Sequence, residues 1–164
     1  MSLIIKDGEG NITNMDSVLE NSIHTPVHTV KTDLTYIYMC GGFIDFDVLT
    51  KYIYIKAPTS TDPYTQITFT YTGTNMVKCS IFENPVVSVD GTQIVLNRLN
   101  RYLSQDTNVL LYTEPTVDSE GTLVTSYCQD LDIILANDLT YIIKLEALNI
   151  NDMIQWQVVS REAA

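Results

Sequence analysis

Asp90-Gly91-Thr92-Gln93-Ile94-Val95-Leu96-Asn97-Arg98-Leu99-Asn100-Arg101 is the stretch that decides the fold, together with the apolar run at 108–112 and the Asp118-Ser119-Glu120-Gly121-Thr122 segment that follow it at even spacing. Short runs of β-branched and aromatic residues, punctuated by Gly, Asn, Asp and Pro, are what strands and their turns require. Their rhythm is that of a β-sandwich or barrel.

Working outward, the same rhythm continues in both directions. Strands are predicted over 35–40 and 43–48, with Gly41-Gly42 between them as a turn, bulge or sharp bend. Lys51-Tyr52-Ile53-Tyr54-Ile55-Lys56 alternates between two faces, and in 66–72 Ile67, Phe69 and Tyr71 share one face while Thr68 and Thr70 take the other, the mark of a half-buried antiparallel strand. Val77, Cys79 and Ile81 carry the next strand, which stops at Asn84-Pro85. Further strands are expected at 93–96, 108–112, 123–128, 140–145 and 153–159. About nine strands with no long helix predict an antiparallel β-sandwich, jelly-roll-like, with an extended N-terminal arm.

The arm is read over residues 1–30, with the sandwich domain at 31–164. The first segment is rich in Gly and Asn, and its one helix candidate, 16–21, has an apolar face made only of Met15, Val18 and Leu19.

Twenty acids against nine bases give a net charge of −11, which repels phosphate backbones and anionic lipid. Nucleic-acid and membrane-surface partners are excluded on that ground. Hydrophobic residues form 45% of the chain, a globular composition. Cys40, Cys79 and Cys128 are odd in number and far apart, so they are read as reduced core residues. With no apolar leader and no run long enough to span a membrane, synthesis in the cytoplasm is expected.

The order of motifs resembles a family of small β-sandwich structural proteins of tailed bacteriophages, found as capsid auxiliary, decoration or head-fibre-associated proteins. Ile5-Lys6-Asp7-Gly8-Glu9-Gly10-Asn11 is similar to their opening segment and Glu20 to His24 to the stretch after it. Gly91-Thr92, the Asn97 to Arg101 box, Pro115-Thr116-Val117 with Gly121-Thr122, Leu135 to Tyr141, and Trp156 in the last strand complete the series. Tyr102-Leu103 depart from it, where the family pattern is Asn- and Ser-rich. The resemblance implies a virion component made in the host cytoplasm and placed on the capsid surface, whose partners are the major capsid protein or other virion proteins and further copies of itself, a trimer being favoured.

Candidate sites divide by chemistry. Arg98 and Arg101, between the amides Asn97 and Asn100, are planar forks able to lock a turn or dock a neighbour, and the intramolecular clamp is preferred. Tyr141, with Leu135 and Asn137 upstream, reads as a tyrosine corner. Trp156, flanked by Ile154 and Val158, reads as a core plug. His24 and His28 are separated by Pro26, which breaks any helix that would pair them on a metal, and no histidine is placed to serve a hydrolytic triad. Asp45 with Asp47, and Asp130 with Asp132, are read as solvated strand edges sharing a face, not as calcium ligands. No cofactor, metal or catalytic residue is expected. Ile4, Ile5, Lys6, Asp7, His24 and His28 are the candidates for a capsid-docking arm. The functional expectation is a non-enzymatic decoration protein that binds the outside of the capsid and stabilises it; the alternative is a carbohydrate- or receptor-binding module on a head or tail fibre.

Overall fold

The computed structural model describes residues 5–6, 12–13, 35–59, 65–99, 107–126 and 130–163. They are organised entirely as strands, turns and loops. The chain divides into two compact units, Met1–Thr35 with Ala164 and Tyr36–Ala163. Within the first, β1 (Ile5–Lys6) and β2 (Ile12–Thr13) pair antiparallel, Ile5 opposite Thr13 and Lys6 opposite Ile12. The helix expected at 16–21 lies outside the described residues.

The second unit contains β3 (Thr35–Asp45), β4 (Thr50–Lys56), β5 (Thr65–Gly73), β6 (Lys78–Glu83), β7 (Val86–Val89), β8 (Thr92–Ile94), β9 (Asn97–Arg98), β10 (Leu110–Thr113), β11 (Thr116–Ser119), β12 (Thr122–Ser126), β13 (Asp130–Leu135), β14 (Thr140–Glu146) and β15 (Met153–Ala163). A five-stranded sheet has the order β13-β5-β15-β3-β9, and a six-stranded sheet the order β12-β6-β14-β4-β10-β8. Pairing is antiparallel and nested. β3 lies beside β15, β4 beside β14, β5 beside β13 and β6 beside β12, successive pairs alternating between the two sheets. The second unit is thus one long antiparallel ribbon rolled into two facing sheets, the jelly-roll form of the β-sandwich.

Period-2 alternation puts one face of each sheet inward. Ile53, Ile55, Ile81, Leu111, Ile143 and Leu145 from the six-stranded sheet meet Tyr38, Ile67, Phe69, Leu131, Trp156 and Val158 from the five-stranded one in a single cluster. Cys40 and Cys79 are buried within it, and burial pushes the Cys40 thiol up to about 11, so it stays protonated at neutral pH.

Gly41-Gly42 is not a turn. β3 runs through both glycines as one strand of 11 residues. A Cβ on Gly41 would stand 2.7 Å from the Trp156 carbonyl oxygen and one on Gly42 3.6 Å from the Trp156 indole nitrogen. Close approach to β15 is what the pair permits. The Asp45 and Asp47 reading also changes. β3 ends at Asp45, and Asp47 lies in the following bend, where its carboxylate meets Lys51.

Between β6 and β12 the ribbon leaves the six-stranded sheet. β7 and β11 pair with each other as a separate two-stranded strap, after which β8 and β10 rejoin the same sheet beside β4. Tyr54 and Ile142 are 6% and 0% exposed on the face of that sheet turned away from the core. The strap is pinned across this face by Lys56 to Asp90 at 2.5 Å and Lys144 to Glu120 at 2.8 Å, which accounts for their burial.

Candidate functional site

Three loops gather at one end of the sandwich: 46–49 after β3, 74–77 after β5 and 147–152 after β14. Backbone bonds join them. Phe46 N–H donates to the Asp152 carbonyl at 2.9 Å, Asn151 N–H to the Phe46 carbonyl at 2.8 Å, Ala147 N–H to the Leu49 carbonyl at 2.8 Å and Thr74 N–H to the Met153 carbonyl at 3.4 Å. Asp152, only 5% exposed, is the staple. Its carboxylate accepts from Asn75 Nδ2 at 2.5 Å and from the Asn149 N–H at 3.1 Å. A buried carboxylate held by neutral donors is stable only while those bonds persist, so the loops are fixed to one another.

On this fixed base the exposed side chains are apolar. Val48, Leu49, Met76, Leu148, Ile150 and Met153 are each between 43% and 80% exposed. Single exposed aliphatics are ordinary, but five large ones on three mutually bonded loops, with Met153 at the adjoining start of β15, form a surface suited to a partner.

The sequence-predicted residues lie elsewhere. Asn97 and Arg98 form β9, an exposed edge opposite Met39 and Tyr38 of β3, and Leu99 N–H donates to the Ile37 carbonyl at 2.9 Å. Backbone pairing therefore ties the described half of the Asn-Arg box to the sandwich. Asn100, Arg101, Ile4, Asp7, His24 and His28 lie outside the described residues, while Ile5 and Lys6 form β1.

Tyr141 is 2% exposed, and its hydroxyl oxygen accepts the Ala136 N–H at 2.9 Å, five residues upstream. Burial, with the Glu83 carboxylate adding to it, pushes that hydroxyl above its ordinary pKa. Trp156 is 3% exposed on the face shared by Ile154 and Val158 and stacks on Phe69 at 6.4 Å. Both positions serve the fold, as a corner and as a core plug.

No family model, curated protein or solved structure matches this chain.

Two arrangements had no counterpart in the sequence reading. One is the loop end: the strand expected over 43–48 includes Val48, but β3 ends at Asp45 and leaves Val48 and Leu49 in a loop, while Leu148 and Ile150 flank Asn149 in a turn-like segment, where apolar residues in place of polar ones were the available signal. The other is Glu162, 5% exposed, which accepts from Thr107 Oγ1 at 2.5 Å and the Asn108 N–H at 3.2 Å and so anchors the segment entering β10 to the end of β15.

Proposed function

We propose that the protein is a non-enzymatic virion component of a tailed bacteriophage, an auxiliary protein that binds the outside of the capsid and stabilises it, acting as a homo-oligomer with a trimer favoured. The observation that carries the reading is the apolar loop end. Its side chains cost free energy while they face water, and its loops are pre-ordered, so covering it loses little conformational entropy. The order of motifs supports the phage assignment, and a jelly roll is an architecture that capsid proteins and lectins share.

Many weak copies of one contact suffice for such a role. A shell presents repeated equivalent sites, and each docked copy adds buried area at a junction between subunits. The acidic remainder of the molecule suits a partner away from nucleic acid and keeps crowded copies soluble.

Quantitative mass spectrometry of gradient-purified particles from the encoding phage tests the reading directly. The expected result is a copy number comparable to that of the major capsid protein. A few copies per particle would transfer the role to a fibre, and absence from the particle would refute the virion reading.

A further inference from the structure

On the outer face of the five-stranded sheet lies a depression of about 510 Å³, within the rough 300–1,000 Å³ range of small-ligand sites. Its cause is Gly41. Strand alternation turns Met39, Gly41 and Phe43 outward from β3, and the missing side chain at 41 leaves a hollow between its neighbours. The hollow cannot be filled by a larger residue without moving β15, because any Cβ there meets the Trp156 carbonyl oxygen at 2.7 Å.

Around this floor stand Thr70, Thr72, Gln155, Gln157 and Asn97. Gln155 is opposite Thr72 and Gln157 opposite Thr70 across the β5–β15 ladder, so two amides and two hydroxyls form a regular array. In a molecule of net charge −11, none of the described side chains that line this site is acidic or basic. Of the described charged groups further along the face, Arg161 and Asp132 are bridged by Thr68: Arg161 donates to the Thr68 hydroxyl at 2.8 Å and that hydroxyl donates to Asp132 at 2.6 Å.

We infer that this depression is a binding site for a neutral saccharide. Anionic ligands need a guanidinium or ammonium and cationic ones a carboxylate, and the described side chains of the site offer neither. Each glutamine amide supplies two donors and an acceptor, and each threonine hydroxyl a donor and two lone pairs, the mixed complement that a row of sugar hydroxyls requires. The Gln157 amide donates to the Met39 sulfur at 2.9 Å, a weak acceptor that a sugar oxygen outcompetes. Two residues from Gly41 on the same face, Phe43 is 67% exposed and is the one exposed aromatic side chain among the described residues. It offers a flat platform for the C–H face of an adjoining sugar ring. The inference stands apart from the virion reading, since it rests on the sheet face and not on the loop end.

The test is a titration of the isotopically labelled full-length protein with glucose, galactose, mannose, N-acetylglucosamine and their disaccharides, following the side-chain amide resonances. Saturable shifts at Gln155 and Gln157 are expected with at least one of these sugars. The Gln155→Ala/Gln157→Ala variant should melt at an unchanged temperature and bind about tenfold or more weakly, as the loss of one or two hydrogen bonds implies, while Gln93→Ala at another exposed strand should bind normally. Absence of saturable shifts with every sugar, survival of binding in the double variant, or stronger binding of sulfated sugars would each overturn the proposal.

Discussion

Asn84 and Glu114 hold φ of 55° and 57°, and Gly91 and Gly121 hold 93° and 83°. Each pair is thirty positions apart, 84 to 114 and 91 to 121, and the neighbouring residues echo one another: Pro85 with Pro115, Val87 with Val117 and, just past the glycines, Thr92 with Thr122. The left-handed residues therefore mark where the ribbon enters and leaves the strap on both strands. Gly121 has no substitute here, because a Cβ would stand 2.3 Å from the Glu83 carbonyl oxygen. Gly121→Ala should cost roughly 2–4 kcal/mol from left-handed strain and backbone displacement, read as a lower denaturant midpoint at constant slope. At Glu114 the opposite holds. A long side chain sits in a conformation that asparagine tolerates better, and at 3.9 Å from Lys51, with the glutamate side chain itself exposed, the ion pair is weak. Glu114→Asn should raise stability by about 0.5 kcal/mol. The glycine turns were legible because Gly-Thr after an acid is turn chemistry. The strain at Glu114 was not, since nothing in a glutamate announces a positive φ.

The strap shows why element boundaries were harder to read. Val86–Val89 and Thr116–Ser119 are four residues each and follow prolines; Val86, Val87 and Val89 suit a strand, but Thr116–Ser119 is mainly polar and sits between turn residues, and its pairing with Val86–Val89 is what makes the two a ribbon. The reverse occurred at Gly41-Gly42, where local preference implies a break and contact with Trp156 imposes continuity. The strap's ion pairs also give it a pH range. Burial alone would raise the Glu120 carboxyl, but hydrogen bonds from Lys144 and Tyr52 outweigh it and hold the group below 4.5. Its contribution is complete above 4.5 and lost as pH falls through the lowered value. Lys144 and Lys56 are raised above 10.5, chiefly by their bonds to Glu120 and Asp90, so their contribution is complete below 10.5 and lost as pH rises through the raised values. Stability measured in urea should therefore fall off on both sides of that window. A Lys144→Met/Glu120→Gln cycle should return a coupling of about 0.5–1 kcal/mol at neutral pH, vanishing in acid; a coupling unchanged at low pH would refute the assignment.

At the scale of the molecule, alternation in 50–56 and 65–73 made two packed sheets legible, because each strand must bury one face. The nesting of β3 with β15 and β4 with β14 was not legible: it is decided by which ribbon arms meet across some hundred residues, and no local pattern records that. The same limit applied to docking. Composition pointed to an arm at 1–30, whereas the assembled loops present an apolar surface at the end of the sandwich, and the two make separable predictions. Because 1–35 and 36–163 divide into different compact units, deletion of residues 1–30 should leave the melting transition of the sandwich in place. Leu148→Asp/Ile150→Asp should also leave it in place, since both side chains are exposed at 72% and 56%. Desolvating two unpaired carboxylates at a covered apolar contact costs several kcal/mol, so binding should weaken by roughly a hundredfold or more. Co-sedimentation of each variant with purified particles separates the mechanisms. Loss only on deletion places docking in the arm, and loss only on the aspartate pair places it on the loops. Loss in both means that the two surfaces act together, as multivalent attachment requires; retention in both removes either surface as the means of attachment.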